Sequence, residues 1–88
     1  MSQRRYTVVQ RVEFEEQLAV LWFMDHDVQR SMDELEPVLR TIPEQAGQPL
    51  YHNDEEIWYI KHRAIEILYR ILDDDCQVHL ISIRLIRS

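Results

Sequence analysis

The sequence holds one cysteine, one glycine and three prolines in 88 residues, and nothing in it approaches a long apolar run. The lone Cys76 excludes an internal disulfide, and no paired Cys and His spacing resembles a zinc site, so a reducing compartment, by default the cytoplasm, is the expected home. The apolar runs fall far below the roughly 18 residues of a membrane-spanning helix. The polar start from Ser2 to Arg5 leads into no signal-type stretch, and no membrane partner is expected. Positive charge is also scarce: ten Lys and Arg stand against sixteen Asp and Glu, for a formal charge of −6. A phosphate backbone repels such a chain as a whole, which disfavours a generic nucleic-acid binder.

What the chain does have is 45% hydrophobic and 30% charged side chains, the make-up of one small globular domain spanning 1–88. A core of this size is marginal, and a bound partner would add stability. Charge is unevenly spread. Residues 13–36 carry one base, Arg30, against eight acids, while residues 57–88 carry five bases against four acids. A local basic surface can therefore survive an acidic total.

Tyr6 to Val12, with Val8, Val9 and Val12, reads as a strand. From Glu13 the period changes: Phe14, Leu18, Leu21 and Trp22 recur at helical spacing and predict a core-facing stripe. Asp25-His26-Asp27 supplies a break with Asp25 or Asp27 as N-cap. Val28, Met32, Leu35, Leu39 and Ile42 then predict a second helix, with a kink or restart at Pro37 and an end at Pro43. Residues 43–56 hold the only Gly and two of the three Pro and read as a loop.

Ile57–His62, Ile65–Leu72 and Gln77–Ile86 are rich in Ile, Leu, Val, Tyr and Trp, with breaks at Arg63-Ala64 and Asp73-Asp74-Asp75, and predict an antiparallel meander. A first turn at Arg63-Ala64 sets Lys61 opposite Glu66 and Tyr59 opposite Leu68. A second turn in the Asp run sets Ser82 opposite Glu66 and Leu80 opposite Leu68. Alternation then gathers Tyr59, Lys61, Glu66, Leu68, Arg70, Ser82 and Arg84 on one face. Ile60, Ile65, Ile67, Tyr69, Ile71, Ile81 and Ile83 fall on the other, with His79 at its edge. The second face is the expected core, covered by both helices in an α+β arrangement, and the open face is where function is to be sought.

The order strand, helix, helix, meander resembles the RelE/ParE superfamily of bacterial type II toxins. So does the text WYIKHRAIEILYRILDDD followed by VHLISIR, from Trp58 to Arg84, in which a basic strand turns into a Tyr-Arg-hydrophobic strand, passes an acidic turn and ends in an apolar strand with a late Arg. The opening YTVVQRVEFEEQLAVL is similar to that family's first strand and helix. The resemblance implies a β-α-α-β-β-β fold, an antiparallel sheet with two helices packed on one face. It also implies the toxin of a toxin–antitoxin (plasmid stabilization) system, partnered by a cognate antitoxin, that cleaves messenger RNA on the ribosome or poisons DNA gyrase. Ribonuclease members need no metal or other cofactor: basic side chains hold the scissile phosphate while a general base activates the 2′-hydroxyl. By the same resemblance Arg84, Arg70 and Lys61 are candidate catalytic residues, and Arg63, Tyr69 and Tyr59 candidate substrate-binding residues.

Two positions depart from the pattern. Many members carry an Arg three residues before the Tyr of the middle strand, where Glu66 stands here, and a carboxylate in a phosphate cradle repels its substrate. Leu85-Ile86-Arg87 also stands where ribonuclease members often continue to a Tyr or His that assists proton transfer. An inactive binding module on the same fold is therefore the alternative expectation, with the charges of the open face forming a cross-strand ion-pair ladder instead of a catalytic set.

Overall fold

The computed structural model describes residues 5–52 and 55–86. The chain runs β1 (Thr7–Gln10), α1 (Val12–Met24), α2 (Asp27–Thr41), α3 (Pro43–Ala46), β2 (Gln48–His52), β3 (Glu55–His62), β4 (Ile65–Leu72) and β5 (Gln77–Leu85), with one 3-10 turn over Asp73–Asp75. The strands form one sheet in the order β1-β5-β4-β3-β2, antiparallel throughout except where β1 joins β5 in parallel. This is the expected α+β arrangement with an extra strand, and the parallel pair makes the sheet mixed. None of the described helices is long and apolar enough to cross a membrane.

Local chemistry explains the helices. In α1, Glu13 and Glu15 sit in the first turn, where the helix dipole favours them, and Phe14, Leu18 and Leu21 turn inward. The cap position of α2 is His26, not Asp25 or Asp27 as expected: the Asp25 carboxylate accepts the Asp27 N–H at 2.9 Å in the turn just before the helix, whose Val28, Met32, Leu35 and Leu39 are buried. Helix α2 runs unbroken past Pro37, which is exposed, so the ladder bond that proline gives up lies on the solvent side. Pro43 then starts α3, where a missing N–H costs nothing. The core joins these helical residues to Ile65, Ile67, Tyr69, Val78, Leu80 and Ile83 of the sheet.

Four further expectations change. The stretch 43–56, read as a loop, is a short helix followed by the edge strand β2 and the start of β3, with residues 53–54 outside the described residues. An edge strand tolerates Pro49 because the neighbouring ladder needs only one side of it. Trp22, expected in the core, is 49% exposed: Leu18 and Leu21 occupy the inward stripe, and Trp22 lies about 100° further round the helix.

The β3–β4 register is as expected, with Lys61 opposite Glu66 and Tyr59 opposite Leu68. The β4–β5 register is not. The tip closes at Leu72 opposite Gln77, with Cys76 in the left-handed region at φ 51°. An irregularity between Leu68 and Tyr69 leaves Ile81 as an extra residue on β5, so Arg84, not Ser82, faces Glu66 and Ser82 faces Leu68. The bulge also reverses the faces below it. Val78 and Leu80 are buried, whereas His79 stands opposite Arg70 on the open face and not at the edge of the core.

Candidate functional site

Three consecutive strands place one charged side chain each in a single row across the open face: Lys61 on β3, Glu66 on β4 and Arg84 on β5. Adjacent strands lie about 4.8 Å apart, and alternation turns all three away from the helices. Arg84 Nε donates to Glu66 Oε1 at 2.6 Å, and Lys61 Nζ lies 3.8 Å from Glu66 Oε2. The residues differ in solvent contact. Glu66 is only 9% exposed, while the side chains of Lys61 and Arg84 are 62% and 72% exposed. A carboxylate is thus seated in the sheet between two cations that reach into solvent.

The other candidate residues are dispersed. Tyr59 shares the open face one row below, opposite Leu68, and its hydroxyl donates to Gln48 Oε1 at 2.6 Å. Arg70 is on the same face but four residues along β4 from Glu66, roughly 13 Å away at strand rise. Its cross-strand neighbour His79 contacts Gln77 Oε1 through Nε2 at 2.8 Å.

Two candidates are elsewhere. Arg63, in the β3–β4 turn at φ 52°, donates through Nε to Glu34 Oε1 of α2 at 2.5 Å, and His62 Nε2 reaches the same oxygen at 2.6 Å. The Arg63 hydrogen bond, and then that of His62, hold the Glu34 carboxyl below the usual carboxylate range, and Glu34 in turn raises Arg63. This cluster pins the hairpin tip to α2, away from the open face.

Tyr69 is fully buried. Its hydroxyl donates to the Pro43 carbonyl at 2.7 Å, Trp58 stacks on its ring, and burial pushes its phenol up to about 12. It is a core residue and cannot bind substrate on the open face. Gly47 serves the same corner: a Cβ there would collide with the Tyr69 hydroxyl and stand 2.5 Å from the Tyr59 carbonyl oxygen.

Sequence reasoning singled out Glu66 as a repulsive intruder and missed it as the centre of the row. The missing signals were the closing pair Leu72 and Gln77 at the turn and the bulge at Ile81, each worth one residue of register, which together bring Arg84 opposite.

Chemically, the row can do two things. Lys61 and Arg84 can hold an anionic group over the sheet, and the carboxylate between them can accept a proton from whatever that group carries. The architecture behind it is a RelE-like α+β fold. The chain matches one in the crystal structure of the toxin–antitoxin complex RelBE2 from Mycobacterium tuberculosis, with a TM-score of 0.81 and 19% identity over 99% of this chain and 98% of that one. At that identity the likeness establishes the fold. No family model and no curated protein sequence matches the chain.

Proposed function

We propose that this chain is the toxin of a toxin–antitoxin pair and acts as a metal-independent endoribonuclease on messenger RNA, with a cognate antitoxin as its partner. The fold shared with a chain of a toxin–antitoxin complex supports the toxin role. The observation that carries the chemistry is the Lys61–Glu66–Arg84 row, a base flanked by two cations on the open sheet face. Arg84 and Lys61 hold the scissile phosphate and stabilise the charge that builds on it, while Glu66 takes the 2′-hydroxyl proton. The 2′-oxygen bonds to phosphorus, the bond to the 5′-oxygen breaks, and that oxygen leaves with a proton from Lys61 or water. The products are a 2′,3′-cyclic phosphate and a 5′-hydroxyl. Tyr59, one row away, offers a ring on which a neighbouring base stacks. The row can hold a phosphate locally, but a total charge of −6 gives free RNA no long-range steering toward it, so a message already positioned by the ribosome is the favoured substrate.

A second reading rests on the same row: Glu66 contacts both cations, a state in which they hold no phosphate, and the chain then serves as a binding module. Induced expression in bacteria separates the two. Growth arrest abolished by Arg84→Ala, with the variant still folded, is the expected result. Harmless accumulation of folded parent protein would refute the nuclease and leave the module.

A further inference from the structure

Helix α1 is apolar on the side turned away from the sheet as well as on the side turned toward it. Its outer surface exposes Phe23 at 96%, Val20 at 61%, Met24 at 58% and Trp22 at 49%. Ala19, Trp22, Phe23 and His26 line an open apolar hollow where α1 gives way to α2. A phenylalanine standing almost wholly in water, beside three more large apolar side chains, is the kind of patch that marks a contact surface. Among the described residues the inward stripe of α1 is complete without Trp22 and Phe23, whose hollow is separate from the one that Val20 shares with Arg84 at the β5 edge.

The charge around the patch selects the occupant. Residues 12–29 contain five acids, Glu13, Glu15, Glu16, Asp25 and Asp27, and no Lys or Arg. A second copy docked through α1 would bring these carboxylates against their own kind, whichever way the two helices ran. Anionic lipid would be repelled too, since helices that lie in membrane surfaces carry Lys and Arg on their polar side. An apolar surface fringed by acid is the complement of an amphipathic helix with a leucine-type face and a basic flank.

We infer that the outer face of α1, centred on Phe23 and Trp22, is the docking surface for a basic amphipathic helix of a partner protein. This deepens the partner half of the function proposed above and rests on that half alone. RNA cleavage plays no part in it.

The test uses the full chain with Trp58→Phe, so that Trp22 is the one remaining tryptophan, and a designed helical peptide bearing leucines on one face and lysines on the other. A second peptide replaces each lysine by glutamate. The lysine peptide is expected to bind saturably with a blue shift of Trp22 emission, and to weaken as salt rises. Phe23→Ser should reduce its affinity roughly tenfold or more, the mark of a central contact residue. Far-ultraviolet circular dichroism shows whether the variant keeps its fold, and Val20→Ser gives an independent probe of the same patch if it does not.

Equal binding of the glutamate peptide, binding indifferent to Phe23→Ser and Val20→Ser, or no binding of either peptide would overturn the inference. So would a concentration-dependent dimer that hides Trp22, or adsorption to anionic vesicles. Growth and cleavage are not read in this experiment, so its failure leaves the nuclease proposal standing and its success does not depend on it.

Discussion

Replacing Glu66 by Gln separates a catalytic carboxylate from a structural one, because the two roles differ in magnitude. The substitution keeps the shape and leaves an oxygen to accept from Arg84, but removes the charge between Lys61 and Arg84. Both partners are mostly solvent-exposed, so each ion pair contributes about 0.2–1 kcal/mol to the fold, and the variant, which loses both, should lose roughly 2 kcal/mol of stability or less. A general base contributes about 10²–10⁴ in rate, equivalent to roughly 3–5 kcal/mol of activation free energy. A catalytic Glu66 therefore predicts a folded variant whose melting temperature falls by no more than about 15 °C and a cleavage rate down by at least about a hundredfold.

Glu66→Arg completes the series: it adds a third cation to the row, raises affinity for RNA and still lacks the base. The assay is mapping of cleavage on ribosome-bound message, beside thermal unfolding of each variant. If Glu66→Gln cleaves as fast as the parent, or if Glu66→Arg cleaves faster, the carboxylate is a brake and not a base, and the mechanism proposed here is wrong.

Three further outcomes follow from the packing. Gly47→Ala forces a methyl group onto the Tyr69 hydroxyl and the Tyr59 carbonyl, and should cost about 1–3 kcal/mol in thermal unfolding; an unchanged melting temperature would contradict that close approach. Tyr69, pushed up to about 12 from an unfolded value near 10, stays neutral in the fold longer than in the unfolded chain. Its contribution, at most about 3 kcal/mol, is present below pH ~10 and lost as pH rises toward ~12, and Tyr69→Phe should remove that alkaline slope from denaturant titrations. The depressed Glu34 carboxyl behaves oppositely. Its contribution is present above the ordinary carboxylate range and lost as pH falls through the lowered folded value, so Glu34→Gln should flatten the acid limb of the stability profile and speed amide exchange at the Arg63 turn.

What was legible in the sequence was whatever two-residue alternation and turn chemistry control. The β3–β4 hairpin could be registered because a short turn at Arg63-Ala64 fixes the pairing of every residue before and after it. The β4–β5 pairing could not, because the turn closes one residue away from the expected register and one extra residue at Ile81, with no local signature in a run of apolar side chains, adds a second step; together they bring Arg84 in place of Ser82 opposite Glu66, and alternation along β5 is broken so that His79 faces outward. Alternation alone placed Tyr69 on the core face, where it is; its candidacy for substrate binding came only from resemblance. Trp22 misled because an apolar residue adjoining a core stripe looks like part of it, and periodicity cannot say how wide a stripe the sheet will cover. Strand β2 hid behind Pro49 and Gly47, which punctuate a loop in isolation but here serve an edge strand and a close packing contact.

The net charge of −6 does not argue against an anionic substrate once the charge is placed in space. Apart from Glu16, which lines a hollow with Arg84 where α1 meets β5, the acids of residues 12–29 belong to α1 and its junction with α2, whereas the strands present Lys61, Arg70 and Arg84 on the open face with Glu66 the acid of the central row. The molecule measures 39 × 32 × 25 Å, and charges more than about 8 Å apart through solvent are largely screened at physiological ionic strength. The patch and the row should therefore act independently. Glu15→Lys, on the Ala19, Trp22 and Phe23 side of α1, reverses a charge at the fringe of the patch and should weaken selection of a basic helix, yet leave RNA binding at the row unchanged at physiological salt and strengthen it only when salt is lowered. A large effect of that substitution on RNA binding at physiological salt would mean that the total charge, and not its placement, governs what the sheet face can hold.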